Sequence, residues 1–370
     1  MQERAKWAIP LLLAGAILTA AAGQIQSASD FELVSTIAFA SSRDNPTGIP
    51  LLSGEIYLVN GDGTNPRRLT FTAPNAGNLF AALSPDGKKI VFDSNRLRSA
   101  TDPLNTSDLF LMETDGTNQT PLTRGSSATW SPDSKYIAFH ASASGTGQPI
   151  RSDPGAPTSD SDIFVANVDD LLAGVASPTN ITNSPDIIDE DADWSPVLPD
   201  GTTKIVFARH SAGGSLNATE LYVINPDGSG LMQLTSNGFE ERAAAWSPDG
   251  SQIAFMCRIG PVNAAGVVTF EICVMDASGD ANGTVPPRRL TLNGVLDATP
   301  SWSPDGTKIV LHRNPFPFQL WIVNADTTCD AFGCICASPY ADGRCEMQLT
   351  NPPGANAFPH WGELRVHITK

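Results

Sequence analysis

Trp246-Ser247-Pro248-Asp249-Gly250 leads into the alternating apolar run Ile253-Ala254-Phe255, and this pairing decides the fold because it recurs. Leu83-Ser84-Pro85-Asp86-Gly87, Trp130-Ser131-Pro132-Asp133-Ser134, Trp194-Ser195-Pro196 and Trp302-Ser303-Pro304-Asp305-Gly306 are its copies, and Trp361-Gly362 keeps only the aromatic. Proline fixes φ, aspartate bonds its local backbone and glycine takes the left-handed position, so each full copy is a tight turn between strands. A second apolar run follows at Leu109-Phe110-Leu111, Ile163-Phe164-Val165, Leu221-Tyr222-Val223, Ile272-Cys273-Val274 and Leu320-Trp321-Ile322. A short Leu-Thr strand, Ile181-Thr182 in one copy, closes each unit. Four short antiparallel strands per unit, repeated along the chain, predict an all-β propeller.

The ends supply the count. Thr36-Ile37-Ala38-Phe39 matches a second strand, and Pro359-His360-Trp361 matches a first strand. The C-terminal segment is therefore predicted to lie beside the N-terminal one in a shared unit 1, with units 2 to 6 complete in themselves. The expectation is a six-bladed propeller of four-stranded antiparallel blades. Pairing of the N- and C-terminal strands in one blade closes it and removes a free sheet edge.

Arg4 and Lys6 precede an apolar stretch from Trp7 to Ala22 that ends in small residues, the pattern of a cleaved secretory signal over 1–22. A short linker, 23–34, then leads to the propeller at 35–370. No cysteine follows the apolar stretch as in a lipoprotein, and nothing later reads as a membrane span. The chain is therefore placed in the periplasm or outside the cell, as a monomer not embedded in a membrane. Net charge is -16, with no basic patch, which argues against a nucleic-acid partner. Cys257 and Cys273 fall on adjacent strands, while Cys329, Cys334, Cys336 and Cys345 crowd an insertion at 325–346. The spacing C-x4-C-x-C-x8-C matches no paired zinc knuckle, so all six cysteines are disulfide candidates in an oxidising compartment.

The repeated turns, from about Ser35 to Trp361, resemble the WD40-like repeats of the TolB-type propeller family. That resemblance implies a six-bladed fold and binding of partner proteins at the channel mouth. TolB itself carries an α/β domain ahead of its propeller, and this sequence is read as a propeller without one, so the fold and a binding role carry over but not the partners. Similar repeats occur in the propellers of prolyl peptidases and in oligogalacturonate lyases. The chain has no Gly-x-Ser-x-Gly nucleophile elbow, which sets a serine peptidase aside.

Strand direction puts the long insertions 43–54, 97–107, 142–160, 211–219 and 259–269 on one face, where binding residues usually gather. The lead residue of each innermost strand, five before the Trp or Leu83, lies at the same end: Asn78, Gly125, Asp189, Glu241, Asp297 and Asn356. Asp191 adds to the acidic run in unit 4. Arg43, Arg96, Arg209, Arg258 and Arg313 close the second strands at that end. Two readings follow: ion pairs that pin one blade to the next, or a polar ring at the mouth for a cationic peptide, a sugar or a metal. The favoured function is a protein- or peptide-binding scaffold with no cofactor and no catalytic residue assigned. The alternatives are a metal-dependent, lyase-like enzyme acting on carbohydrate through His140, His210 and His312, and a structural propeller of the cell envelope. Asp62-Gly63-Thr64-Asn65 and Asp115-Gly116-Thr117-Asn118 lack the spaced ligands of a calcium loop and read as hairpin turns.

Overall fold

A computed structural model describes residues 31–44, 53–73, 76–99, 107–142, 161–211, 219–258, 269–280, 286–330 and 333–367. The signal at 1–22 and most of each long insertion lie outside the described residues. Unit 1 holds β1 (Phe31–Ser41), β2 (Glu55–Asn60) and β3 (Arg67–Arg68); unit 2 holds β4 (Asn78–Leu83), β5 (Lys89–Ser94), β6 (Asp108–Glu113) and β7 (Thr120–Arg124). Unit 3 holds β8 (Ser126–Trp130), β9 (Tyr136–Ser142), β10 (Ser161–Asn167), a short helix α1 (Val168–Ala173) and β11 (Thr179–Asn180). Unit 4 holds β12 (Ile187–Trp194), β13 (Ile205–Ser211), β14 (Glu220–Ile224) and β15 (Met232–Gln233). Unit 5 holds β16 (Glu241–Trp246), β17 (Gln252–Arg258), β18 (Phe270–Asp276) and β19 (Arg288–Arg289). Unit 6 holds β20 (Asp297–Trp302), β21 (Lys308–Arg313), β22 (Gln319–Asn324), the hairpin β23 (Thr328–Asp330) and β24 (Gly333–Ile335), and β25 (Glu346–Gln348); β26 (Asn356–His367) ends the chain.

The result is an all-β propeller with four-stranded antiparallel blades. Units 1, 2, 5 and 6 each form a separate four-stranded sheet, and unit 1 takes β26 beside β1 in the order β26-β1-β2-β3. Six separate sheets are expected from the repeat; units 3 and 4 instead share one eight-stranded sheet. The cause is a single parallel bridge between Ser161 and Ile188, reinforced by the Ser161 hydroxyl donating to the Asp189 carbonyl at 2.7 Å. The pairing of β1 with β26 runs from Ser41↔Asn356 to Phe31↔His367, so the first strand begins four residues earlier than the predicted boundary at 35.

Packing repeats around the molecule. Phe39, Phe92, Phe139, Phe207 and Phe255, one per second strand, are fully buried. Six apolar clusters each combine residues of consecutive units, and one of them sets Ile37, Phe39 and Trp361 of unit 1 against Val310, Leu320 and Ile322 of unit 6. Each buried Phe contributes about 1.5–3 kcal/mol by leaving water. A four-stranded sheet alone could not cover both its faces.

Hydrogen bonds tie the innermost strands together at the level of the Trp column. Where the residue before the Trp is polar, its side chain accepts from the next unit's backbone: Thr129 Oγ1 from Trp194 N (3.4 Å), Asp193 Oδ2 from Trp246 N (2.8 Å), Ser301 Oγ from Trp361 N (2.9 Å) and His360 Nδ1 from Leu83 N (3.3 Å). Where that residue is alanine, the next indole reaches back instead. Trp130 Nε1 donates to Ala82 O, and Trp302 Nε1 donates to Ala245 O, both at 3.1 Å.

Cysteine pairing follows the strands. Cys257 bonds Cys273 across β17 and β18, Cys329 bonds Cys334 within the β23–β24 hairpin, and Cys336 bonds Cys345.

Trp361 is 7% exposed, donates its indole N–H to Ser35 Oγ (2.8 Å) and its amide to Ser301. Trp361→Ala is expected to cost about 3–5 kcal/mol. Urea unfolding should show a lower midpoint, and an unchanged midpoint would mean that the β26 clasp carries no load.

Candidate binding site: the channel and its mouth

Each innermost strand touches the next: β4 with β8, β8 with β12, β12 with β16, β16 with β20, β20 with β26, and β26 with β4. Together they line one central cavity of about 440 Å³. The strand geometry inside it is unusual and repeated. In every innermost strand two residues oppose a single residue of the second strand, a β-bulge opposite Phe39, Phe92, Phe139, Phe207, Phe255 or Leu311. The first bulge residue is left-handed: Phe80 (φ 47), Ser127 (52), Asp191 (55), Ala243 (47), Thr299 (49) and Phe358 (54). Non-glycine residues avoid this region, so six such positions in register mark a constraint that the surroundings enforce.

The enforcing groups sit one residue beyond the buried Phe column. Asp93 accepts from the Ser127 amide (3.2 Å) and the Ser126 hydroxyl, His140 Nδ1 from the Asp191 amide (3.2 Å), and His312 Nδ1 from the Phe358 amide (3.5 Å). Each reaches from one unit to the bulge of the next. His312 also bonds Thr299 Oγ1 at 2.7 Å. His210 lies elsewhere, 3.7 Å from Glu190. His140, His210 and His312, the alternative metal ligands, are not brought together: two of the three are acceptors for backbone amides in different units. Among the described residues no group of three His, Cys, Asp or Glu side chains could hold a metal ion.

The lead residues, read either as ion pairs or as a polar ring at the mouth, are placed as follows. Asp189 is fully buried and takes Arg209 on both oxygens, Nε at 2.6 Å and Nη2 at 2.7 Å. Asp297 takes Arg313 in the same way, at 2.5 and 2.8 Å, and Arg313 holds Glu346 as well. Asn78 accepts from Arg96 (2.8 Å) and donates to Glu55 of the preceding unit (2.9 Å); Asn356 accepts from Arg43 (3.0 Å) and donates to Gln319 (2.9 Å). Arg43, Arg96, Arg209 and Arg313 each also lie 4.5–5.2 Å above an aromatic ring of the third strand. Gly125 replaces a side chain in unit 3 because a Cβ there would meet the Phe139 ring at 2.5 Å. Asn78 and Asn356 tie their units to the preceding ones, Asp189 and Asp297 hold arginines of their own blades, and none of these lead residues lines the channel. Glu241 and Arg258 line a separate cavity, and Asp191 alone of the predicted acids lines the channel.

Channel chemistry is divided. Asp191 and Asp193 give unit 4 an acidic wall, and burial pushes the Asp193 carboxyl up to about 6 although Trp246 N and Thr129 Oγ1 bond it. Phe80 and Phe358 give units 1 and 2 an aromatic wall, their centroids 4.1 Å apart, with Phe318 and His312 packed behind Phe358. Burial drives the His360 imidazole down to about 4, so it stays neutral. Behind the acidic wall Glu190 is buried; burial would raise its carboxyl, but His210 and Arg242 hold it down at about 2. Arg242 also bonds Glu240 at 2.7 Å. Neither Asp193 nor the Phe pair stands out in the sequence, because only the bulge turns these positions toward the channel.

The comparisons bear on this geometry. TolB from Acinetobacter baumannii superposes with a TM-score of 0.60 at 20% identity, over 89% of this chain and 66% of that one. The chain has the TolB-type propeller fold. A putative TolB from Agrobacterium tumefaciens gives 0.52 at 14% identity, over 91% of this chain and all of that one. Kuenenia stuttgartiensis hydrazine synthase gives 0.58 at 14%, over 92% and 47%. In sequence, 63 residues are 41% identical to dipeptidyl-peptidase 5 of Porphyromonas gingivalis, which is 17% of this chain and 9% of that protein. No known family profile matches the chain. Among the described residues of this TolB-type propeller, no helix is long and apolar enough to cross a membrane.

Two outcomes follow. Asp189→Ala strands the buried Arg209 and is expected to cost about 3–5 kcal/mol, whereas Asp191→Ala should cost under about 1 kcal/mol; urea titration separates them. Burial raises Asp93 to about 8 and Asp193 to about 6, above the unfolded value of 3.8. A carboxyl raised on folding opposes the fold while ionised and stops doing so on protonation, so Tm should rise as pH falls from 8 to 6. Asp93→Asn should flatten that slope, and an equal slope in the variant would remove Asp93 as its source.

Proposed function

We propose that the chain is an exported six-bladed propeller, closed by the β1–β26 pairing, that binds a protein or peptide segment at the channel mouth. Six units follow from counting the eight-stranded sheet as two blades joined at one bridge, and the six inter-unit hydrogen bonds at the Trp level support a closed ring. Three disulfides support an oxidising compartment.

The observation that carries the binding role is the divided channel. Acids on one wall and a pair of touching phenyl rings on the other fit an extended segment that presents a basic side chain beside an apolar one. The face where the innermost strands begin adds Phe71, Leu97, Phe239, Leu292 and Phe316 as exposed apolar side chains, from 38% to 74% accessible. Apolar exposure on one face of a rigid scaffold is the surface a protein partner covers.

Selection of phage-displayed peptides on the immobilised protein tests this. Enriched sequences are expected to place Lys or Arg within a few residues of an aromatic or aliphatic side chain. Asp191→Lys should abolish their capture and Phe80→Ala should weaken it about tenfold or more. Enrichment without basic residues, or capture indifferent to both changes, would overturn the reading.

A further inference from the structure

One junction departs from the pattern of the others. In units 1, 2, 3, 4 and 6 the second-strand Phe or Leu is paired in register with a third-strand aromatic: Tyr57, Phe110, Phe164, Tyr222 or Trp321. In unit 5, Phe255 is paired with Cys273, which is disulfide-bonded to Cys257. A cavity of about 600 Å³ runs along β18 here, floored by that disulfide and Val274, with Phe239 at its rim.

The charged groups of this cavity are also unlike their counterparts. Asp189 and Asp297 have both oxygens engaged by arginine. Glu241, in the same column and 1% exposed, accepts from Asn237 Nδ2 (2.7 Å) on Oε1, while its buried Oε2 has no hydrogen-bond partner among the described residues. Burial, with Thr235 and Asn237 opposing and nearby Glu220 adding, pushes this carboxyl up to about 7. Glu220, which does not line the cavity, bonds the Gly238 amide through Oε1 and likewise leaves Oε2 buried without a partner among the described residues. On the far strand Arg289 sits in register with Cys273, half-buried, with no hydrogen bond or ion pair among the described residues. Its neighbour Arg288 is occupied by the Thr327 carbonyl. Buried carboxylate oxygens without donors are costly and rare, and in a cavity of this size they point to an absent donor.

We propose that this cavity binds a small zwitterion, an amino acid or short peptide with separated charges, its ammonium on Glu241 and its carboxylate on Arg289. An ammonium supplies three donors, enough for Glu241 Oε2 and two further acceptors. The carboxylate receives the guanidinium fork. Glu241 stands on β16 and Arg289 on β19, three strand spacings apart or about 14 Å between backbones, and the two side chains shorten that gap. The methylenes between the ligand's charges lie on the disulfide.

Three isosteric probes read the proposal by calorimetry: 6-aminohexanoate, hexylamine and hexanoate. The zwitterion is expected to bind at least tenfold tighter than either single-charge probe. Glu241→Gln should bring it down to the level of hexanoate, and Arg289→Gln to the level of hexylamine. Equal heats for all three probes, no heat from any, or zwitterion binding unaltered by Arg289→Gln would each overturn it. Arg289 lies at the sheet's outer edge, so that variant remains decisive even if Glu241→Gln fails to fold.

Discussion

The bond between one innermost strand and the next, at the level of the Trp column, is the constraint on which the rest depends. A blade of four short strands has two apolar faces and cannot hold either one dry alone. Each face is covered by the neighbouring unit, and the six clusters that do so are stitched on the inner side by single hydrogen bonds. These bonds come in two forms that substitute for each other. A polar residue before the Trp accepts from the next backbone amide; an alanine there leaves its own carbonyl to accept from the next indole, as Ala82 does from Trp130 and Ala245 from Trp302. Every junction thus satisfies one donor, a backbone amide or an indole, while the indoles of Trp194 and Trp246, whose junctions use the amide, have no hydrogen-bond partner among the described residues. Tolerance of either form is why the repeat can be degenerate and the architecture regular.

The same inner strands set the channel. The bulge opposite each buried Phe adds one residue to the inner strand and turns its first member left-handed. Its amide then points at the preceding unit, where Asp93, His140 or His312 accepts it. Structure and site share the same atoms: the amide of Asp191 locks a junction while the Asp191 side chain lines the cavity. A substitution of the accepting histidine would act on the channel wall through the backbone of the next unit, without touching any ligand.

How much of this is legible in the sequence depends on period. The turn residues and the Trp column recur in chemistry, so the blades, the paired ends and the disulfide-tied loop follow from reading along the chain. The bulge column does not recur in chemistry. Phe, Ser, Asp, Ala, Thr and Phe share nothing but position, and the one extra residue shifts the register so that side chains beyond Asp191 face the channel out of phase with a simple alternation. The repeat puts the lead residues at the right end of the right strands, yet their roles hinge on which Arg lies in register. Asp189 with Arg209 and Asp297 with Arg313 are cross-strand partners within one blade, and the ties to the preceding blade run through Glu55, Gln319 and their like. Composition cannot separate a carboxylate that pairs inward from one that opens onto solvent.

Unit 5 shows what happens when one column is broken while the others hold. Replacing the third-strand aromatic with half of a disulfide removes a ring's volume but keeps the strands tied, since the covalent link does what ring packing does elsewhere. Glu241, longer by one methylene than the aspartates of units 4 and 6, reaches into the space so created. A cavity, a buried acid and a cross-strand disulfide thus meet in the unit where Cys273 stands in the column that the other units fill with a ring. Such coincidence of a lost ring with an added covalent tie is what a scaffold needs if it is to open a pocket at one junction without weakening the others.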